Sequence, residues 1–191
     1  MVKERRRELS EAVLKEKSEK ICMVVLAMPE FRAADEVFVY MDCKGEVSTK
    51  PLIEAAWRLG KKVAAPKVEG ENMSYYYISS YDDVEDGYFH VPEPMQERPV
   101  MGAAAERSLL IVPGVGFDLL RNRCGYGKGF YDRYLAAHPG HVTVALAFDF
   151  QIVDEVPTRP EDIRPMVLVT ESRVLSGREN NGNVEEKTND K

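Results

Sequence analysis

The segment SLLIVP, Ser108 to Pro113, is an unbroken apolar run. A strand with one wet face alternates apolar and polar residues. A run without alternation belongs to a central parallel strand covered on both faces. Parallel neighbours cannot be joined by a tight turn, so helices must cross the sheet between strands. The remainder of the chain supplies both elements. EVFVYM (36–41), KVAAPKV (62–68), MSYYYI (73–78), VTVALAF (142–148) and MVLVTE (166–171) read as further strands. Leu14, Ile21, Val25 and Met28 fall at helical spacing, which predicts one amphipathic helix from about Glu4 to Ala27. Thr49 as cap, Pro51 in the first turn and Gly60 at the end predict a helix through Leu59. Another is expected over roughly Phe130 to His138. Strands alternating with helices define the α/β class: a three-layer α/β/α sandwich around a mostly parallel sheet. The expected single domain covers residues 1–175, and the polar tail 176–191 is expected to be disordered.

Composition narrows the functions such a fold can serve. The 191 residues suffice for one well-buried core without staples. A net charge of −6 removes any global attraction to nucleic acid or to an anionic membrane. No apolar run approaches the roughly 20 residues that cross a bilayer. The opening MVKERRRELSEAV is charged where a signal peptide is greasy, so a cytoplasmic protein is expected. Cys22, Cys43 and Cys124 are odd in number and lack a CxxC pair, which argues against disulfides and zinc. The expected partners are small molecules, and the expected state is a monomer.

Against this acidic background RNRCGYGKGFYDRYL, residues 121–135, is a basic island. It holds Arg121, Arg123, Lys128 and Arg133 against the lone acid Asp132. It runs from the end of the central strand into the start of a helix, where ligands of open α/β sheets bind. Free amides and the helix dipole there form an anion site, and glycines let the main chain approach phosphate oxygens. Asp132, in the first turn, is suited to a Mg²⁺ that bridges phosphates. The loop is neither a Walker sequence nor a dinucleotide fingerprint. The bland alternative is that Gly125, Gly127 and Gly129 make a sharp turn and Asp132 caps a helix.

PGVGFDLLRNRCGYGKGFYDRYL, Pro113 to Leu135, closely resembles the signature of 5-formyltetrahydrofolate cyclo-ligases, also called methenyltetrahydrofolate synthetases. VYMDCKGEVSTKPLI (39–53), VPEP (91–94) and VALAFDFQIVDEVPTRPEDI (144–163) resemble other pieces of that family in its order. The resemblance spans about residues 5 to 171. It implies a CoA-transferase-like α/β/α fold and ATP-dependent closure of 5-formyltetrahydrofolate to 5,10-methenyltetrahydrofolate, with ATP as co-substrate and Mg²⁺ as cofactor. Carried onto this chain, it implies that Arg123, Cys124, Gly125, Tyr126, Gly127, Lys128, Gly129, Phe130 and Tyr131 contact ATP. Lys128 and Arg123 would neutralise phosphate charge as the catalytic cations, and Asp132 and Asp162 would hold the metal. Glu46 would accept hydrogen bonds from the pterin, with Cys43, Ser48, Tyr126 and Phe130 lining its pocket. Tyr75 to Tyr77 would offer either a stacking face or core.

The family also carries a Lys and an Arg on its first helix, ahead of a basic stretch before "LS". Here that landmark is RRRELS (5–10), so those upstream cations are expected to be missing, with Lys3 out of register. Two further alternatives therefore stand beside the cyclo-ligase: a folate- or nucleotide-binding module with little turnover, and the same scaffold serving another phosphorylated or CoA-linked metabolite.

Overall fold

The structure, a computed structural model, describes residues 2–87, 90–95 and 107–177. The expected tail lies outside the described residues from position 178 onward. The chain opens with helices α1 (Val2–Glu8), α2 (Glu11–Ala27) and α3 (Pro29–Ala33), followed by strand β1 (Glu36–Phe38). Helix α4 (Lys50–Arg58) leads to strands β2 (Lys62–Glu69) and β3 (Asn72–Ile78). A small ribbon of β4 (Val84–Asp86) and β5 (Pro92–Pro94) precedes the central strand β6 (Ser108–Val112). A second ribbon, β7 (Gly116–Phe117) and β8 (Arg123–Cys124), then leads through the glycine segment into α5 (Phe130–Ala137). β9 (Val142–Leu146), β10 (Val167–Val169) and β11 (Val174–Ser176) complete the described chain.

Among the described residues the main sheet has the order β11-β10-β9-β6-β1-β2-β3. All neighbours from β2 to β10 are parallel, and β3 and β11 run antiparallel at the two edges. The chain lays β1, β2 and β3 to one side, then returns to β6 and builds outward on the other. Strand order therefore reverses between β1 and β6, and the loops leaving their carboxyl ends flank a crevice.

β6 is buried along its whole length. Leu109 and Ile111 pack with Val37, Val63 and Ile53 on the face covered by α2 and α4. Leu110 and Val112 pack with Phe38, Ala145 and Leu135 on the face covered by α5. Each such fully buried side chain stabilises by about 1.5–3 kcal/mol relative to exposure. The apolar run thus serves both layers, as its lack of alternation predicts.

Several expectations need correction. The strands expected over 36–41 and 142–148 end at Phe38 and Leu146, with one further ladder bond each from Val39 N and Ala147 N. The single helix over Glu4 to Ala27 is two helices, because Ser10 takes an extended conformation and its hydroxyl accepts a bond from Val13 N at 3.4 Å. Thr49 precedes α4 but does not cap it with its side chain. Its hydroxyl instead donates to Tyr40 O at 2.8 Å and lies 3.1 Å from Asp42 Oδ1, fastening the exit of β1. The expected strand over 166–171 stops at Val169, since Thr170 turns its hydroxyl to Asp149 Oδ1 at 2.6 Å. Gly60 does close α4, at φ 71°.

The amino end of the sheet holds a buried polar cluster. Ser108 Oγ lies 2.8 Å from His141 Nδ1, and the Tyr134 hydroxyl lies 3.3 Å from Nε2. Burial, then the neighbouring His138, pulls the His141 pKa down to about 4, so the ring is neutral.

Candidate active site

At the opposite end, two loops meet over the crevice between β1 and β6. The loop after β1 turns at Lys44 and Gly45, both with positive φ. Gly45 is required twice over: its φ is +72°, and a Cβ there would stand 2.9 Å from the Arg6 carbonyl oxygen. This turn folds Glu46 back, so that its Oε2 accepts from Cys43 N at 3.1 Å. Glu46 is only 6% exposed. Burial raises its pKa, opposed by the Cys43 N–H, the Arg6 guanidinium and the Tyr126 hydroxyl. The half-buried Cys43 thiol lies 3.7 Å from Glu46 Oε2, and burial pushes its pKa up to about 11. Ser48 has a different task. Its N–H donates to Ser18 Oγ at 3.0 Å and its hydroxyl to Asp42 Oδ1 at 3.3 Å, which ties the loop to α2.

The loop after β6 has a fixed stem and an open tip. Gln151 is fully buried, and its Nε2 donates to Gly114 O and Val115 O, both at 3.0 Å. Asp118 accepts from Leu120 N and Asn122 N at 2.9 Å, Asn122 Nδ2 at 2.7 Å and Val156 N at 3.1 Å. Those bonds hold its carboxyl below the usual range against the opposing effect of burial. Beyond β8 the constraints lapse. A Cβ on Gly127 would meet nothing within 4 Å, and Gly127 and Gly129 have φ of 86° and 65°. Gly129 precedes α5, whose first amides receive no side-chain cap. The Lys128 side chain is exposed and has no partner among the described residues. Cys124 is exposed at the base of the tip.

Two charged clusters connect these loops. The Tyr126 hydroxyl donates to Glu46 Oε1 at 3.1 Å and accepts from Arg6 Nη1 at 2.9 Å. Arg6 Nη2 donates to Gly114 O, Nη1 lies 3.9 Å from Glu46 Oε1, and Nε is buried without a partner among the described residues. Lys3, one turn earlier on α1, holds its ammonium 5.3 Å from the Tyr126 ring centre. The first helix therefore does bring cations to the site. In the second cluster Arg123 Nη2 donates to Asp132 Oδ1 at 2.8 Å, and the same oxygen accepts from Ile163 N at 3.1 Å. Asp132 is thereby tied to the residue next to Asp162, whose Oδ2 accepts from Arg159 N at 2.7 Å. Arg123 is 6% exposed at its side chain, and its Nε is also buried and unpartnered among the described residues.

The residues expected at the site thus fall into groups. Glu46, Cys43 and Tyr126 come together around Arg6, while Arg123, Asp132 and the loop bearing Asp162 come together beside α5. Phe130 and Tyr131 turn partly into the core beneath the loop. Tyr75 is core, stacking edge-on against Phe38 at 5.1 Å. Among the described residues no group of three or more His, Cys, Asp or Glu could enclose a metal. Asp132 and Asp162 lie on neighbouring segments joined by the Ile163 N–H, and Asp132 Oδ1 is already taken by Arg123 and that N–H. Arg6 and the roles of Gln151 and Asp118 escape the sequence. Three consecutive arginines do not say which faces inward, and the family-like segments place Asp118 and Gln151 without saying what they bind.

A mostly parallel α/β sheet with a glycine loop at its switch point defines a class of small-molecule-binding folds, and sequence relatives narrow it. A model of the 5-formyltetrahydrofolate cyclo-ligase family matches residues 1–171, and the chain belongs to that family. The 5-formyltetrahydrofolate cyclo-ligase of Escherichia coli K12 is 30% identical over 179 residues, covering 91% of this chain and 98% of its own. A probable cyclo-ligase of Schizosaccharomyces pombe is also 30% identical, covering 87% and 90%. The solution structure of Aquifex aeolicus 5,10-methenyltetrahydrofolate synthetase superposes with a TM-score of 0.81 at 34% identity, over 98% of this chain and 94% of that one. Among the described residues no helix is long and apolar enough to cross a membrane.

Proposed function

We propose that the chain closes 5-formyltetrahydrofolate to 5,10-methenyltetrahydrofolate at the expense of ATP, releasing ADP and phosphate. The observation that carries this reading is the meeting of the buried Glu46 with the glycine loop at the switch point. A buried acceptor for pterin N–H groups then faces a polyphosphate cradle.

The chemistry needs both. The N5-formyl group is amide-like, and its oxygen leaves poorly. Transfer of the γ-phosphoryl group to that oxygen converts it to a phosphate leaving group. N10 then attacks the formyl carbon and loses its proton, phosphate departs, and the five-membered ring closes. Little covalent chemistry is left to the protein, so positioning and charge neutralisation do the catalysis. The uncapped amides before α5 and the free Lys128 suit the phosphates, and Arg123 is braced against Asp132. Glu46 fixes the pterin, with Tyr126 and Arg6 orienting its carboxylate. Asp132 and Asp162 would hold Mg²⁺, which neutralises phosphate charge when bound. The binding-module alternative rests on absent first-helix cations, and Arg6 removes that motive.

The test is direct. Purified protein with Mg²⁺, ATP and 5-formyltetrahydrofolate should develop the near-UV absorbance of the methenyl product, with one ADP per product. Tight binding of both ligands with no ADP would convict the enzyme reading and leave a binding module.

A further inference from the structure

The loop that enters β10 builds a second charged wall beside the glycine loop. Arg159, Asp162 and Arg164 line a cavity of about 210 Å³ together with Asn122 and Arg123. Three guanidiniums line it with one carboxylate, Asp162, and only Arg123 among them has an acidic partner, Asp132, among the described residues, in a chain whose net charge is −6.

Arg159 and Arg164 are placed but not neutralised. Arg164 donates from Nε and Nη2 to Asn122 Oδ1, at 2.9 and 2.7 Å. That amide is itself fixed by Asp118, so Arg164 is held by a neutral partner. The Arg159 side chain has no hydrogen bond or ion pair among the described residues, although its backbone N–H fixes Asp162. Arg123 brings a buried Nε without a partner among the described residues. Arg164 also lies close enough to Arg121 to help burial pull the Arg121 pKa down. Like charges held together in this way repel unless a polyanion joins them.

Guanidinium forks match phosphate and carboxylate equally well. Asp162 decides between them. A carboxylate in the wall repels a bare carboxylate tail, but it suits a phosphate chain carrying a divalent cation. We infer that Arg159 and Arg164 grip the phosphate chain of the nucleotide from the side opposite the glycine loop. This rests on the reading that the loop carries a nucleoside triphosphate.

Three measurements separate the claims: turnover, equilibrium binding of a nonhydrolysable ATP analogue with Mg²⁺, and binding of oligoglutamylated folate, each on the unaltered protein, R159A, R164A and the double variant. Each single change should weaken the analogue about tenfold, and the double change more. KM for 5-formyltetrahydrofolate should stay within about twofold, since neither residue contacts the pterin pocket. R164K should recover only part, because an ammonium lacks the planar fork. Should R164A melt lower through loss of its Asn122 bonds, R159A carries the test, since its side chain holds nothing in place. Normal turnover with unchanged analogue binding in the variants overturns the inference and leaves the functional reading standing. Weakened binding of oligoglutamylated folate with nucleotide binding intact assigns the cavity to a carboxylate tail and also overturns it. An unaltered protein that binds no nucleotide removes both.

Discussion

The two ends of the central sheet both bury polar side chains, and they do so in opposite ways. At the amino end Ser108, His141 and Tyr134 are neutral, and their polar side-chain atoms pair with one another. At the carboxyl end Arg6, Glu46, Arg123 and Asp132 are charged groups, and two guanidinium nitrogens there lack partners among the described residues. A buried charge is costly even when paired, and a buried donor left open costs more. Burial therefore does not mark a working site. What differs is open cationic charge at the switch point, which an anionic ligand would complete; the open oxygen at the amino end, Glu36 Oε2, belongs to a carboxylate already paired through Oε1 with Lys62 and Tyr77.

That contrast can be broken by substitution at each end. The largest effect belongs to Lys128→Ala, which should lower kcat/KM about a thousandfold, as loss of a phosphate-side cation does. Its melting temperature should not move, because the side chain is exposed and has no partner among the described residues. Next comes Glu46→Gln, expected to cut kcat/KM about a hundredfold by disturbing the pterin acceptor. Here stability should hold or rise. The Glu46 pKa is raised in the folded protein, so its ionisation costs stability as pH climbs from 4.5 through the folded value and no further above it, and the amide removes that slope. A melt of both proteins across pH checks the sign.

At the amino end the pattern should invert. His141→Ala should cost about 2–3 kcal/mol in a denaturant titration while leaving kcat/KM within about twofold. The His141 pKa is depressed from 6.5 to about 4, so its contribution is complete above pH 6.5 and lost as pH falls toward 4. The unfolded chain binds the extra proton over that window, and the variant should lack this decline. Catalytic collapse in His141→Ala would erase the distinction between the ends. The smallest effect is Gly129→Ala, about 1 kcal/mol for a left-handed φ of 65°, since the Arg133 guanidinium met by the new Cβ can swing aside. Differential scanning calorimetry resolves a change of that size.

What the sequence discloses and what it conceals follow the same physics. The non-alternating β6 run, the Pro51 and Gly60 ends of α4, and the glycine spacing are local signals, and local signals survive in one dimension. The break at Ser10 does not, because Glu8, Leu9, Glu11 and Ala12 are ordinary helix formers and the apolar spacing runs straight through it. Arg6 is hidden for another reason. Only tertiary packing decides which of Arg5, Arg6 and Arg7 faces inward, and the carbonyl of that residue seats against Gly45. β11 is only three residues long and exposed at both ends, and pairing with β10 rather than propensity makes it a strand. The Arg159 and Arg164 wall is invisible for the same cause, since its meaning depends on Asn122 some forty positions earlier.

Gln151 has one more consequence. By pinning Gly114 and Val115 to the exit of β9, it confines any movement of the glycine loop to the stretch between Cys124 and Phe130. Five residues tethered at both ends have a contour of about 17 Å, so their midpoint can travel only about 8 Å out and back. That stroke is long enough to drape over a phosphate group and far too short to ferry a folate inward. On the proposed reading, the larger substrate would enter along a path already standing open, and the nucleotide alone would be wrapped on arrival.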